Sequence, residues 1–195
     1  NVVMQDNALL EEASDQNRGA CGSLQWSGAP GAERRVLWQI NSAFAKHIPP
    51  GATITSAVLK FVNINAAPAT TGSVYRVLKP WTETAATWNQ RDAANYEAWD
   101  APGLRIGKDL AAAPFIKEQA FPAIPITGAH EFDITGEARF WMNSPSNNFG
   151  IAFIAAPNAP EIHWGDANRG AGNENEMPRL EVEFSPAAAQ KTRSQ

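Results

Sequence analysis

Two acids that lie close together in the sequence have the types and spacing best suited to bond-breaking chemistry. Glu131 and Asp133 flank Phe132 in a short extended segment, residues 131–134, so both carboxyls fall on one face of a strand. Such a pair hydrolyses glycosides when its surroundings raise one pKa. The same residues also suit a solvated strand face or a turn-stabilising Asp before Thr135, and raised carboxyl pKa values are rare. We therefore expect neither acid to be catalytic.

Other catalytic signatures are missing from the sequence. The three histidines, His47, His130 and His163, lie far apart and lack the spacing of metal ligands. The sequence also contains no GxSxG or HExxH motif. We predict a protein that is not an enzyme and has no catalytic residue.

Oxygen-bearing side chains form two groups that suit calcium. The first group is Asp6 and Asn7 with Glu11 and Glu12, and the second is Asp166 with Asn168, Asn173 and Glu174. Calcium prefers such hard oxygen ligands, but neither spacing is that of a calcium-binding loop, and turns use the same residues. The sequence thus predicts no metal ligand and no cofactor, and it leaves a structural calcium ion open without a specific motif.

Aromatic residues in loops are candidates for binding a glycan. Trp26, Tyr96, Trp99 and Trp164 stand at strand ends or in loops, among Gly, Asp and Asn. Sugar rings stack on flat aromatic faces while their hydroxyls bond to nearby polar groups. We predict that these four residues form a glycan-binding platform, although loop aromatics also fold back as local packing residues.

The other tryptophans are predicted to pack in the core. Trp81 and Trp88 lie in the segment WTETAATWNQRD, residues 81–92, which follows a strand-like segment at 73–79 and Pro80. Trp38 and Trp141 fall on apolar faces by their spacing. Threonines and acids around Trp81 and Trp88 supply acceptors for a buried indole N–H.

Short alternating segments must position these side chains. Predicted strands cover residues 2–5, 8–12, 24–26, 33–41, 53–63, 73–79, 131–134, 149–156, 161–164 and 179–184. A turn at Asp6 and Asn7 separates the first two, and Leu180, Val182 and Phe184 point inward in the last. One helix is expected, with Thr135 as its N-cap and with Asn143 and Pro145 ending it. The pattern predicts an all-β protein, an antiparallel β-sandwich or jelly roll with one short helix.

We expect a single domain over residues 1–195, with residues 1–5 as an N-terminal arm or strand and residues 185–195 as a tail.

Composition restricts the class of partner. The 195 residues carry a net charge of -4 and scattered Lys and Arg, which argues against a nucleic-acid binder. Hydrophobic residues make up 44% of the chain, but no apolar run is long enough to span a membrane. The single cysteine, Cys21, cannot form an internal disulfide, so it is either a free thiol or linked to a neighbouring molecule.

Seven phrases in sequence order resemble a known family. They are DNALLE at 6–11, ERRVLWQIN at 33–41, IPPGATITSAVL at 48–59, residues 74–81 followed by Thr87-Trp88-Asn89, FDITGEARFW at 132–141, NFGI at 148–151 and PRLEV at 178–182. Together they resemble the DNRLRE-type domain, although DNALLE lacks both arginines of that signature. The resemblance implies a secreted β-sandwich from bacterial or archaeal surface proteins, extracellular or on the cell surface. Some relatives are classed as carbohydrate-binding modules, including alginate binders.

Two functions follow as predictions. In the first, the domain is a structural or adhesive subunit of a cell-surface or matrix assembly, with itself or neighbouring surface proteins as partners. Val2, Val3 and Met4 would then add to a neighbour's sheet edge, and the tail after Phe184 would lie across another subunit. A head-to-tail contact that does not close produces a filament. In the second, the domain is a carbohydrate-binding module for an extracellular polysaccharide.

Overall fold

The computed structural model describes residues 3–170 and 172–186, and β-strands dominate these ranges. The strands are β1 Met4–Leu10, β2 Leu24–Ala29, β3 Ala32–Ile40, β4 Thr53–Val62, β5 Thr70–Arg76, β6 Gln90–Asp92, β7 Glu97–Ala98, β8 Ile116–Phe121, β9 Ala129–Asp133, β10 Ile151–Ala155, β11 Ile162–Trp164 and β12 Arg179–Ser185. One α-helix, α1 (Thr135–Asn143), lies between β9 and β10. The predicted all-β class with one short helix is confirmed.

The strands form two main antiparallel sheets. The larger sheet has the order β11-β2-β3-β10-β5-β8, with β1 paired to β3, and it curls into a half-barrel. The smaller sheet has the order β12-β4-β9. Strands β6 and β7 form a short separate ribbon. No helix in the described ranges is long and apolar enough to cross a membrane.

The two sheets enclose a core rich in aromatic rings. Phe61 of β4, Phe153 of β10 and Trp164 of β11 are all fully buried, and the ring of Trp164 stacks on that of Phe61 with centroids 4.7 Å apart. Helix α1 packs on this core through Ala138 and Trp141. Thr135 was predicted as the N-cap, but it is the first residue of the helix and Ile134 holds the cap position. Asp133 Oδ1 accepts the backbone N–H of Thr135, which satisfies one of the unpaired donors of the first turn.

A second apolar layer covers the outer face of the larger sheet. Trp81, Trp88 and Trp99 pack there against Leu37 of β3 and neighbouring apolar side chains. The indole Nε1 of Trp81 donates to the Phe149 carbonyl at 2.9 Å, so its polar atom is satisfied. The prediction that Trp81 and Trp88 are buried is confirmed. They lie in this outer layer and not in the core between the sheets. The central strands β3 and β10 of the larger sheet are therefore covered on both faces.

The start of the chain departs from its prediction. Residues 4–10 form one continuous strand, whereas the sequence suggested two strands divided by a turn at Asp6 and Asn7. Both polar side chains are fully buried. The Nδ2 of Asn7 donates to the carbonyls of Glu83 and Ala86, so it binds a distant loop instead of closing a local turn.

Candidate functional site

The acid pair on β9 is engaged in structural contacts. Glu131 lies 3.0 Å from the Nζ of Lys60 on the neighbouring strand. Asp133 Oδ1 accepts the N–H of Thr135 at 2.9 Å and its hydroxyl at 2.6 Å. These hydrogen bonds lower the pKa of the Asp133 carboxyl. A carboxyl with a lowered pKa is a poor proton donor near neutral pH, which agrees with the turn-stabilising interpretation of Asp133.

Two residues of the predicted aromatic platform lie inside the core. Trp26 and Trp164 are 1% and 0% exposed, and their rings stack on each other with centroids 5.2 Å apart. Trp164 Nε1 donates a hydrogen bond to Nδ1 of His130. Burial lowers the pKa of His130 to about 4, so its ring stays neutral and Nδ1 can accept this bond. The prediction that Trp26 and Trp164 face a glycan is wrong, because both strands turn these rings between the sheets.

The other two members of the platform separate from each other. Trp99 is 4% exposed, and its Nε1 donates to the Thr87 carbonyl, so it belongs to the outer apolar layer and not to a binding surface. Tyr96 is 87% exposed and has a left-handed backbone with φ 57°. Of the four predicted residues, only Tyr96 presents its ring to solvent.

The two oxygen-bearing groups are rearranged by the fold. Glu11 accepts the N–H of Glu33, and Glu12 accepts Nε of Arg34, so both acids serve the neighbouring strand β3. Glu174 accepts the N–H of Gly172 within its own turn. None of these three contributes to a shared site with Asp6.

Asp6 instead contacts the loop that holds Asp166. Its Oδ2 accepts the N–H of Ala167, the residue after Asp166, at 2.8 Å, and its backbone N–H donates to Glu83 Oε1 at 3.1 Å. Burial, together with the negative charges of Asp166 and Glu83, raises the pKa of Asp6 well above its ordinary value. The Oδ1 of Asp6 is buried and has no hydrogen-bond partner within the described ranges.

Asp166 is held by its own loop and by the loop before β2. Its Oδ1 accepts the N–H of Asn168, and its Oδ2 accepts the N–H of Gly22. The bond from Asn168, two residues on, is of the kind that Asp makes in turns, whereas the bond from Gly22 ties two distant loops together. Within residues 3–170 and 172–186, no three Asp, Glu, His or Cys side chains converge in a way that could hold a metal ion.

The N-terminal residues predicted to reach a neighbouring subunit are used inside the chain. Met4 pairs with Ile40 as the first residue of β1 and packs against the core between the sheets. The carbonyl of Val3 accepts the N–H of Asn41, although the Val3 side chain is 48% exposed. Val2 lies outside the described residues. From Val3 onward, the arm is therefore anchored on its own sheet, and this corrects the prediction of a free strand at residues 2–5.

The smaller sheet has two edge strands, β9 and β12, and the edge at β12, which borders an apolar groove, is the one best placed for a contact with another chain. Strand β12 pairs with β4 alone, and no backbone hydrogen bond joins its other edge to any residue in the described part of the chain. Its side chains alternate as predicted: Arg179, Glu181 and Glu183 face solvent, while Leu180 and Val182 are half-buried against the core. Phe184 was predicted to point inward, but it is 41% exposed and follows an irregularity in the pairing between Glu183 and Phe184.

An apolar groove runs beside this edge. Its volume is about 220 Å³, and its walls include Met4, Ile40, Phe44, Leu180, Val182 and Phe184. The groove lies between β12, the first residue of β1, the last residue of β3 and the turn after β3. Phe44 enters it from a 3-10 turn, Ser42–His47, where neither a strand nor a helix was predicted.

Comparisons with known proteins add no family to this description. No family model matches the chain, and no curated protein matches it. The resemblance to the DNRLRE-type domain thus stays a prediction that rests on the quoted residues. The free edge of β12 and its groove were not predicted, because the sequence shows a strand but not which of its edges is paired.

Proposed function

We propose that the protein is a non-catalytic structural subunit of an extracellular or cell-surface assembly, and that copies of it join through the open edge of β12. The unpaired edge of β12 is the observation that carries this proposal. Unpaired N–H and C=O groups of an edge strand are a ready template for a strand from another chain. The extracellular location comes from the resemblance to the DNRLRE-type domain.

The side chains along β12 support the same interpretation. Leu180 and Val182 are only partly covered, and Phe184 leaves two fifths of its surface open beside the groove. A strand added at this edge would satisfy the backbone groups and cover these apolar side chains at the same time. Hydrophobic burial then adds to the backbone hydrogen bonds of the ladder.

The contact can be tested by placing a charge at the rim of the groove. We expect the Phe184→Lys variant to lose self-association, because a charged side chain there opposes the burial of apolar surface. Sedimentation velocity across a wide range of protein concentration measures the loss, and circular dichroism checks that the fold is retained. The Leu78→Lys variant is the control, because Leu78 is 43% exposed, similar to Phe184, and lies away from β12. Wild-type protein that stays monomeric at every concentration would contradict the proposal.

A carbohydrate-binding role is the second candidate, and Tyr96 is the observation that favours it. The residue holds an exposed ring in a left-handed backbone conformation, which costs a non-glycine residue energy and often marks a functional position. Asn95 and Glu97 flank it with polar groups suited to sugar hydroxyls.

This role predicts that the Tyr96→Ala variant is retained less than wild type on columns of acidic or neutral polysaccharide gel, because the stacking surface is removed. The Ile106→Ala variant serves as the control, since Ile106 is an exposed apolar residue without an aromatic face. Equal retention of wild type and the Tyr96→Ala variant would count against glycan binding through this residue.

A further inference from the structure

We infer that the strand that completes the β12 edge is β12 of a second copy of this chain, antiparallel to the first, with a two-fold axis at Glu181. This inference rests on the proposed function, and it adds which strand of the second copy fills the edge and the register of the contact. Two observations lead to it: the length of regular strand that is free to pair, and the charges that this strand presents.

The regular part of β12 is short and has a defined middle. Pro178 precedes the strand and has no N–H to donate. At the other end, the pairing with β4 shifts between Glu183 and Phe184, which marks a bulge. Residues 179–183 are therefore the uninterrupted run, and Glu181 is its midpoint. Two antiparallel copies overlap over the whole run when Glu181 lies opposite Glu181.

The charges of the solvent-facing side chains fit this register. Arg179 of each copy lies opposite Glu183 of the other, so two opposite-charge pairs form by symmetry. Neither side chain has an ion pair within its own chain in the described ranges, so both are free to pair between copies. The two Glu181 side chains meet at the axis, and Lys60 Nζ, 3.0 Å from Glu181 in each copy, offsets their repulsion.

Other registers are less favourable. An axis at Val182 places Glu181 opposite Glu183 twice and leaves Arg179 opposite the uncharged Ser185. An axis at Leu180 pairs Arg179 with Glu181, but it brings Pro178 into the ladder and overlaps only part of the regular run. The axis at Glu181 alone combines the full overlap with two opposite-charge pairs.

The apolar face agrees with the same arrangement. Leu180 of one copy lies opposite Val182 of the other on the side of the groove, and Phe184 comes beside Pro178 of the partner copy. The two smaller sheets then join into one continuous antiparallel sheet. Because the contact is the same patch on both copies, it closes as a pair, and a filament would need a second, different contact.

Charge reversal tests the register directly. The Arg179→Glu variant alone and the Glu183→Arg variant alone each place like charges opposite each other twice, so each should self-associate about tenfold more weakly than wild type. An equimolar mixture of the two variants restores both opposite-charge pairs in a mixed dimer, and the Arg179→Glu/Glu183→Arg double variant restores them in a homodimer. Sedimentation velocity measures each sample. Arg179 and Glu183 are both exposed, so circular dichroism should show an unchanged fold.

The possible results separate the register from the function. Weak association of each single variant, with recovery in the mixture and in the double variant, supports the axis at Glu181. Wild-type association that is abolished by Phe184→Lys but indifferent to these charge reversals would overturn the register and leave the proposed function standing. Recovery of the Arg179→Glu variant by Glu181→Arg, but not by Glu183→Arg, would move the axis to Leu180. A wild-type monomer at every concentration would overturn both.

Discussion

Asp6 carries a carboxyl into the interior without a basic side chain beside it. It is fully buried, and in the described ranges it forms no ion pair with Lys, Arg or His. Asp166 and Glu83 add negative charge nearby, which together with burial raises the pKa of Asp6. A buried charge without a partner destabilises the folded state, so folding favours the protonated form.

The pH dependence of stability follows from this raised pKa. Because Asp6 binds its proton more tightly in the folded state, its contribution to stability is complete below the unfolded pKa and is lost as pH rises through the folded pKa. We expect the Asp6→Asn variant to have a higher free energy of unfolding than wild type at pH 7, by about 1 kcal/mol or more. The amide still offers an oxygen to the N–H of Ala167, and its N–H groups suit the acidic neighbours.

Denaturant unfolding from acid to neutral pH, with a chelator present, measures this effect. Asp133→Asn is a matched control of opposite sign. Hydrogen bonds from Thr135 lower the pKa of Asp133, so its contribution is present above the unfolded pKa and is lost as pH falls through the folded pKa. A lower stability of the Asp6→Asn variant at neutral pH would show that the carboxylate is stabilised there by a contact not described above.

At the scale of elements, strand β3 connects the two apolar layers. Val36 and Trp38 point into the core between the sheets, whereas Leu37 points into the outer layer formed with Trp81 and Trp88. Strand β10 has the same arrangement, with Ile151 and Phe153 inward and Ala152 outward. The outer layer therefore shares its backbone with the main core.

This sharing predicts that the layers unfold together. We expect Leu37→Ala to lower the free energy of unfolding by about 2 to 5 kcal/mol, because it leaves a cavity in the outer layer. Tryptophan fluorescence, which reports both layers, and far-ultraviolet circular dichroism should give one coincident transition at a lower temperature. Leu78→Ala is the control, with a smaller expected change of about 0.5 kcal/mol, since Leu78 is 43% exposed and lies on the surface. Separate transitions from the two probes would indicate that the outer layer unfolds independently.

Local sequence patterns predicted the strands and the helix well. They predicted poorly whether an aromatic residue at a strand end or in a loop is buried. The alternation in β3, β4 and β12 and the helix at Thr135–Asn143 could be predicted because their periodicity lies within a few residues. Trp26 was misplaced because its environment depends on a distant glycine. A Cβ at Gly72 of β5 would come within 2.1 Å of the Trp26 ring, so the missing side chain provides the space for this indole. Neighbouring Gly or Asp residues in the sequence do not reveal such a contact.

At the scale of the whole molecule, the candidate contact depends on the order of the strands. The sequence predicted β12 and its inward and outward faces, but it contains no signal that β12 lies at the end of its sheet. That position results from pairing between residues more than a hundred apart, such as Arg179 with Lys60. For the same reason, the meeting of Asp6 with the loop at Asp166 could not be anticipated from two separate acidic groups.

The bulge after Glu183 also affects the risk that the exposed edge of β12 leads to aggregation. Long, flat edges with apolar side chains recruit further molecules without limit and lead towards amyloid-like fibrils. Here the bulge and the prolines at 178 and 186 bracket a short stretch, and its outward charges penalise most misaligned encounters. A protein with such a short, bracketed edge can therefore be kept at high concentration with little risk of uncontrolled polymerisation through β12.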